Sequence, residues 1–201
     1  MLESKVFDTI KKYNLIDEQD KVLIGVSGGP DSISLLHVLH KLGYNLCVAH
    51  VNHGLRENAK IDEQYVLDFC SKLQVPCYIK KVNLKENLRG KTVEEAGREI
   101  RYNFFKEIAQ KENCSKIATA HNSNDSAETV LMNVIRGTGL VGLRGILPIQ
   151  NSIIRPLIEC TREEIESYCE SNNLNPRFDE SNSNTIYTRN KVRLELIPFI
   201  E

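Results

Sequence analysis

The feature that most constrains the fold of this chain is a six-residue turn between an apolar run and a helical pattern. Residues 22–26 are apolar and rich in β-branched side chains, which is typical of a buried strand. Residues 33–39 repeat apolar side chains at helical spacing. Between them the chain reads Ser27, Gly28, Gly29, Pro30, Asp31 and Ser32. A strand followed by a tight turn and a helix predicts the first unit of an α/β fold.

The same turn predicts a site for an anion. Adjacent glycines let the backbone approach a ligand closely, and Pro30 suits a first helical turn, where its missing N–H costs nothing. Amide groups at a helix N-terminus favour anions, most naturally phosphate. The hydroxyls of Ser27 and Ser32 add donors, and Asp31 is suited to hold a cation that neutralises the phosphates. An ordinary strand-to-helix turn is the alternative, because glycine-rich turns are common in α/β folds.

The rest of the chain continues the alternation of strands and helices. Further apolar runs predict strands at residues 46–51, from 76, at 116–120 and at 153–154. We therefore expect an α/β, doubly wound, mostly parallel five-stranded sheet with helices on both faces. A small helical extension is expected over residues 161–201, with a last helix from Asn190 to Ile197. Residues 1–201 would form one catalytic domain.

Composition narrows the class of protein. The 201 residues are 41% hydrophobic and 26% charged, as in globular proteins, and no apolar run approaches the ~20 residues that span a membrane. The six cysteines include no Cys-x-x-Cys pair, which favours reduced thiols in a cytoplasm. A net charge of −1 is low for a protein that attracts nucleic acid over long distances, so any nucleic acid would be bound by local basic patches.

Polar residues gather where predicted strands end, and ligands bind parallel sheets at that edge. Asp125, at a strand end and helix start, is predicted to contact a metal or a substrate. For Glu128, helix capping and a functional role are equally supported. His50 and His53 share one loop without a third metal ligand, so we do not predict a zinc site there.

Two further stretches carry alternatives. Arg98 and Arg101 lie one turn apart on a predicted helix. They are either solvated or ion-paired with Glu94 and Glu95, or they direct guanidinium groups at phosphate. The glycine-rich residues 136–145 are predicted to form a mobile loop that folds over a site.

Taken in order, these motifs resemble a known family. The turn resembles the Ser-Gly-Gly-x-Asp-Ser loop of the ATP pyrophosphatase superfamily, a Rossmann-like, adenine nucleotide alpha hydrolase-like fold. The full series is similar to the bacterial tRNA(Ile)-lysidine synthetase family. It comprises residues 27–32, 50–56, 98–102, 121–129, 136–143, 155–157, 179–182 and 189–193. The resemblance implies that ATP adenylates the C2 carbonyl oxygen of the wobble cytidine in tRNA(Ile) with a CAU anticodon. Free L-lysine then displaces AMP.

The resemblance also implies roles for individual residues. Catalytic roles fall to Asp31, Arg98, Arg101, His121, Asp125 and Glu128. ATP binding falls to Ser27, Gly28, Gly29, Pro30, Asp31, Ser32, His50 and Asn52. Asp31 and Asp125 would hold Mg²⁺, either Glu128 or Asp125 would hold the lysine ammonium, and tRNA would meet Arg136, Arg189 and Arg193. The oligomeric state is left open, with a homodimer as one alternative, and no membrane partner is expected.

This sequence departs from the family pattern in three ways. Ser126 stands where glutamine is usual, and Gly97 where alanine is common. Family members also continue into further C-terminal segments, so we expect either the catalytic domain of a longer protein or a short form. Two alternatives remain: a tRNA thiolase of the same superfamily acting on a cytidine or uridine, and a non-catalytic nucleotide-binding regulator. The lack of paired cysteines disfavours the first, and the charged strand ends disfavour the second.

Overall fold

The computed structural model describes residues 1–54, 59–84, 88, 90–177 and 188–200, without the side chains of residues 188 and 189. Parts of two motifs, residues 55–56 and 179–182, therefore lie outside the described residues, as does the side chain of Arg189. The helices are α1 Leu2–Tyr13, α2 Pro30–Lys41, α3 Ala59–Lys72, α4 Val93–Lys111, α5 Ser123–Ile135, α6 Arg162–Ser171, α7 Thr188–Lys191 and α8 Ile197–Ile200. The strands are β1 Lys21–Gly25, β2 Asn45–Asn52, β3 Cys77–Lys81, β4 Lys116–Ala118, β5 Ile149–Gln150 and β6 Ile153–Ile154.

The strands form one sheet in the order β3-β2-β1-β4-β6-β5. All neighbours pair in parallel except β5 and β6, which are antiparallel. The chain moves outward from β1 to β3 and then crosses back to β4, so the strand order reverses beside β1. Ligands bind such sheets at this reversal. The doubly wound α/β prediction is confirmed, but the count of five strands is wrong. The two-residue β5 makes a sixth, because so short a strand leaves no alternation in the sequence.

Helices cover both faces of the sheet, as predicted. On one face, residues of α1, α2, α3 and α6 share a core with β1, including Leu36, Val66 and Ile165. On the other face, Phe104 and Phe105 of α4 pack against β1 and β2. The turn at residues 27–32 follows β1 and leads into α2, so it lies on the first face of the sheet. Helix α4 packs on the second face.

Local sequence signals set several helix starts. Thr92 and Thr161, each followed three residues later by a glutamate, form capping boxes ahead of α4 and α6. Helix α5 begins at Ser123. The reason is a third capping box, in which the side chains of Asn122 and Asp125 each bond the other's backbone N–H.

Two segments differ from their predictions. The glycine-rich residues include a 3₁₀ helix, Leu140–Arg144, packed on α5. The Ser126 hydroxyl accepts the Ile146 amide at 3.2 Å, and a Cβ on Gly145 would lie 2.5 Å from that hydroxyl. Ser126 therefore anchors this segment. The last helical segment runs over residues 188–200 and contains a π-helical turn, Val192–Leu196, between α7 and α8.

Among the helices that the structure describes, none has the length and apolar character needed to cross a membrane.

Candidate active site at the carboxyl edge of the sheet

The turn at residues 27–32 is held together by its own serine hydroxyl. The buried Ser32 hydroxyl accepts the amides of Ser27 at 3.1 Å and Gly28 at 3.3 Å, and donates to the Gly29 carbonyl at 3.0 Å. Gly28 has a φ of +96°, a left-handed conformation that favours glycine. The predicted role of Ser32 as a ligand donor stays a prediction, and its described contacts fix the shape of the turn.

The N-terminus of α2 has no side-chain cap. Gly29 occupies the N-cap position without a side-chain cap, and Pro30 takes the first helical position. The amides of Asp31 and Ser32 belong to the first helical turn, where backbone donors have no partner within the helix. Ser27 is exposed beside them. This arrangement is suited to a phosphate group.

One buried asparagine joins the turn at residues 27–32 to α5. The Asn122 amide donates to Asp31 at 2.9 Å, while its carbonyl oxygen caps α5 by accepting the Asp125 amide at 2.9 Å. Burial is the main cause that raises the pKa of Asp31; the Asn122 hydrogen bond opposes it, and the Asp125 charge adds to it. Two carboxylates from distant parts of the sequence thus share one edge of the sheet.

The carboxylate oxygens of Asp31 and Asp125 are ligands of the kind that a magnesium ion prefers. Mg²⁺ is usually held by one or two carboxylates together with phosphate oxygens and water. Burial is the main cause of the raised pKa of Asp31 and the charge of Asp125 adds to it, so a cation beside the two acids would favour the charged carboxylate. Across the described residues there is no group of three or more His, Cys, Asp or Glu side chains arranged for a metal. A phosphate ligand would have to complete the coordination.

Glu128 is fully buried and paired with an arginine from the C-terminal segment. Arg193 donates through Nε to Glu128 at 2.5 Å and through Nη2 at 3.1 Å, and its Nη2 also lies 3.5 Å from Asp125. Burial opposes the charge of Arg193, but the hydrogen bond and charge of Glu128 raise its pKa overall. The prediction that Arg193 contacts tRNA remains untested, and the described contacts tie it to the two acids of α5.

The end of β2 is organised by two buried polar residues. His50 donates from Nδ1–H to the Val26 carbonyl at 2.8 Å, just before the turn, which leaves Nε2 as the acceptor nitrogen; burial lowers the pKa of this histidine. Asn52 donates to the Ala59 carbonyl at 3.1 Å and to Glu63 at 2.9 Å. These contacts fix the strand end, and ATP binding by His50 and Asn52 stays a prediction.

His121 and the arginines of α4 complete the predicted catalytic set. His121 lies three residues after the end of β4, and its Nδ1 is 3.0 Å from the Thr119 hydroxyl. Arg98 and Arg101 are exposed, and Arg98 stacks 4.8 Å from the ring centre of Tyr102. No ion pair joins either arginine to a described carboxylate. The Glu95 side chain instead accepts the Thr92 amide in the capping box of α4. The alternative of ion pairs with Glu94 and Glu95 is therefore wrong.

Arg136 lies apart from the other site residues. It is exposed at the C-cap of the 13-residue α5, the opposite end from Asp125. Sequence reasoning gave no individual role to two residues at this edge, although both lie in the motifs that carry the family resemblance. Asn122 also has a local signal, the Asn-x-x-Asp capping pattern, whereas Arg155, which follows β6 and is buried, has no local signal.

Comparison with known proteins agrees with the fold. A sequence profile described as a PP-loop domain matches residues 2–200. The tRNA(Ile)-lysidine synthase of Clostridium tetani is 51% identical over 98% of this chain and 44% of its own length. That of Clostridioides difficile is 46% identical over 100% of this chain and 45% of its own. The chain spans less than half the length of these relatives.

Solved structures give the same architecture. The U34-tRNA thiolase NcsA from Methanococcus maripaludis, with its [4Fe-4S] cluster, has a TM-score of 0.76 at 23% identity, covering 95% of this chain and 69% of its own. An NH3-dependent NAD synthetase from Campylobacter jejuni has a TM-score of 0.58 at 16% identity, covering 99% and 82%. At these identities the likeness concerns the fold. With the profile match over nearly every residue, the chain belongs to the PP-loop family of ATP-binding domains.

Proposed function

We propose that this chain carries out the ATP-dependent ligation of L-lysine to the C2 carbon of the wobble cytidine in tRNA(Ile) with a CAU anticodon. The observation that carries the proposal is identity of 51% to a named tRNA(Ile)-lysidine synthase over 98% of the chain. We place the reaction in the cytoplasm, which agrees with six free cysteines.

In the first step, the cytidine C2 carbonyl oxygen attacks the α-phosphorus of ATP and pyrophosphate leaves. A carbonyl oxygen is a weak nucleophile, so rate enhancement must come from positioning and from stabilising charge on the phosphates. The turn at residues 27–32 would hold the phosphates at the N-terminus of α2. Asp31 and Asp125 would hold Mg²⁺, which supplies positive charge near the phosphates.

In the second step, the lysine amine attacks C2 and AMP leaves. An acid must hold the ammonium at the other end of the substrate, and Asp125 and Glu128 are the two candidates. Both Glu128 oxygens are bound by Arg193, so lysine could use Glu128 only by displacing a short, charged contact. Asp125 Oδ1 lies 3.5 Å from Arg193, and its Oδ2 accepts the Asn122 amide at 3.1 Å. Because Asp125 is also the proposed Mg²⁺ ligand, both acids remain candidates for the lysine ammonium.

Transfer of labelled lysine tests the proposal. The natural protein and the 201-residue chain are incubated with ATP, magnesium, labelled lysine and a tRNA(Ile) transcript with a CAU anticodon. We expect label in the tRNA, and we expect Asp31→Asn to lower transfer by about 100-fold or more. Asp8→Asn, an exposed acid on α1, is the matched control and should leave transfer unchanged.

Two results would overturn the proposal: no lysine in the tRNA with the natural protein, or full transfer by Asp31→Asn. Sulfur incorporated into the same tRNA in place of lysine would identify a thiolase. ATP binding without any change in the tRNA would identify a nucleotide-binding regulator.

A further inference from the structure

Among the residues that the structure describes, no acid pairs with the buried arginine that follows β6. Arg155 is 3% exposed, and it donates to the Leu147 carbonyl at 2.5 Å and weakly to Gln150 at 3.4 Å. Its buried Nε–H has no hydrogen-bond partner, and no described carboxylate pairs with it. A buried guanidinium is costly unless an anion compensates it. The position of Arg155 therefore indicates a missing anion.

Arg155 lies near two cations of α4. Burial lowers the pKa of Arg155, the charge of Tyr102 opposes this, and the charge of Arg98 adds to it. Arg98 stacks on the ring of the same tyrosine at 4.8 Å. Tyr102 thus stands between two guanidinium groups, with Arg101 one helical position before it. Arg98, Arg101 and Arg155 are called the arginine cluster below.

A histidine beside the arginine cluster is also unsatisfied. Both ring nitrogens of His53 are buried without a hydrogen-bond partner in the described part of the chain. The ring lies against α4, where a Cβ on Gly97 would be 3.6 Å from it. Burial, together with the nearby charge of Arg101, lowers the pKa of His53 to about 4. At neutral pH the ring is therefore uncharged and offers one donor and one acceptor.

We infer that the arginine cluster binds a phosphate group of the RNA strand whose base is modified. This deepens the proposed function and rests on it. Arg98 and Arg101 lie on α4, on the opposite face of the sheet from α2, whose N-terminus would hold the phosphates of ATP, and Arg155 follows β6. Guanidinium groups recognise phosphate through paired donors. With a net charge of −1, the chain needs a local cationic site to hold RNA.

Binding of an RNA anticodon stem-loop, measured by fluorescence anisotropy without ATP or lysine, tests this inference. Arg98→Gln and Arg101→Gln are expected to weaken binding about five- to ten-fold. Each should also reduce the slope of log K against log salt by about 0.7, the value for one lost contact to single-stranded phosphate. Lys106→Gln removes the same charge from an exposed position of α4, so it should change neither quantity.

Arg155→Lys keeps the positive charge but removes the planar guanidinium group with its paired donors. If this variant unfolds at the same denaturant concentration as the wild type, we expect it to bind RNA more weakly. If Arg155→Lys is unstable, the two exposed variants still decide. The inference is overturned if neither changes RNA binding beyond Lys106→Gln. It is also overturned if they weaken binding of inorganic pyrophosphate, measured by calorimetry, and leave RNA binding intact, because the cluster would then serve the free phosphate product.

These outcomes are separable from failure of the proposed function. Asp31→Asn should bind the stem-loop as the wild type does, even though it is expected to lose lysine transfer. RNA binding that depends on the cluster, in a natural protein that transfers no lysine, would reject the proposed reaction while supporting the cluster.

Discussion

Helices α2 and α5 each follow a parallel strand and carry an acid in the first turn, yet they are held in opposite ways. Eight residues of α2 are buried, most of them apolar, whereas the only buried residue of α5 is Glu128. On α5, Val134 is 52% exposed and Ile135 is 63% exposed. The turn at residues 27–32 is therefore supported by the apolar packing of α2. The second set of acids is held mainly by charged and polar contacts.

Truncating one leucine of α2 should have the largest effect. Leu36 is fully buried, so Leu36→Ala is expected to lower the free energy of unfolding by about 3 kcal/mol through lost burial and a cavity. Ile135→Ala on α5 is the matched control and should change it by less than about 0.5 kcal/mol. Urea unfolding followed by circular dichroism measures both. Equal losses would refute the contrast between the helices.

The contribution of charged contacts to the packing of α5 is tested by removing Arg193, which pairs with Glu128. Arg193→Ala removes two hydrogen bonds from the buried Glu128 carboxylate, and we expect a loss of roughly 3 kcal/mol in the free energy of unfolding. Adding Glu128→Gln to this variant should recover part of the loss, because the charge is then removed as well. A loss below about 0.5 kcal/mol for Arg193→Ala would mean that the pair contributes nothing.

Lowering the pH should reduce the free energy of unfolding through His53, which follows β2. The folded pKa of His53 is about 4, below an unfolded value of about 6.5, so the unfolded chain binds more protons between these values. Stability from this residue is present above pH 6.5 and is lost as the pH falls, by roughly 2 kcal/mol at pH 5.

Denaturant titrations at several pH values check this expectation. His53→Gln should flatten the pH dependence between pH 5 and 6.5, although His50, whose pKa is also lowered, keeps part of it. His40→Gln, at an exposed position of α2, serves as the control and should keep the wild-type slope. An unchanged slope in His53→Gln would contradict the assignment.

The smallest expected effect concerns α4. Gly97 lies inside this helix, and a Cβ there would meet Leu84 at 3.4 Å and His53 at 3.6 Å, which is close to ordinary contact. Gly97→Ala should therefore raise the free energy of unfolding by about 0.5 to 1 kcal/mol through helix propensity. Thermal unfolding measures this. A lowered midpoint would show that the histidine cannot accommodate the methyl group.

The sequence predicted the α2 side of the molecule better than the α5 side. Apolar runs of five to eight residues mark β1 and β2 because burial on both faces leaves a continuous pattern. The capping boxes at Thr92 and Thr161 are local, so they were readable. The two-residue β5 and the 3₁₀ helix have no period and depend on tertiary contacts, as the Ser126 anchor illustrates.

The candidate site shows the same division. The turn at residues 27–32 and the position of Asp125 at a strand end were predictable from neighbouring residues. The pairing of Glu128 with Arg193 joins residues 65 positions apart, and no spacing rule connects them. The π-helical turn that carries Arg193 has no sequence signature either. Unsatisfied groups such as those of His53 and Arg155 become visible only when their surroundings are known.

The stretch after α6 returns to the first loop of the domain. The Arg177 amide donates to the Gly28 carbonyl at 2.9 Å, its side chain pairs with Asp62 at 3.1 Å, and the Leu174 carbonyl accepts the Tyr65 hydroxyl at 2.8 Å. A recombinant fragment ending before residue 174 would retain every strand but lose this clasp. Protease cutting near Gly28 would then become faster, so the shortest useful expression boundary lies beyond the last strand by more than twenty residues.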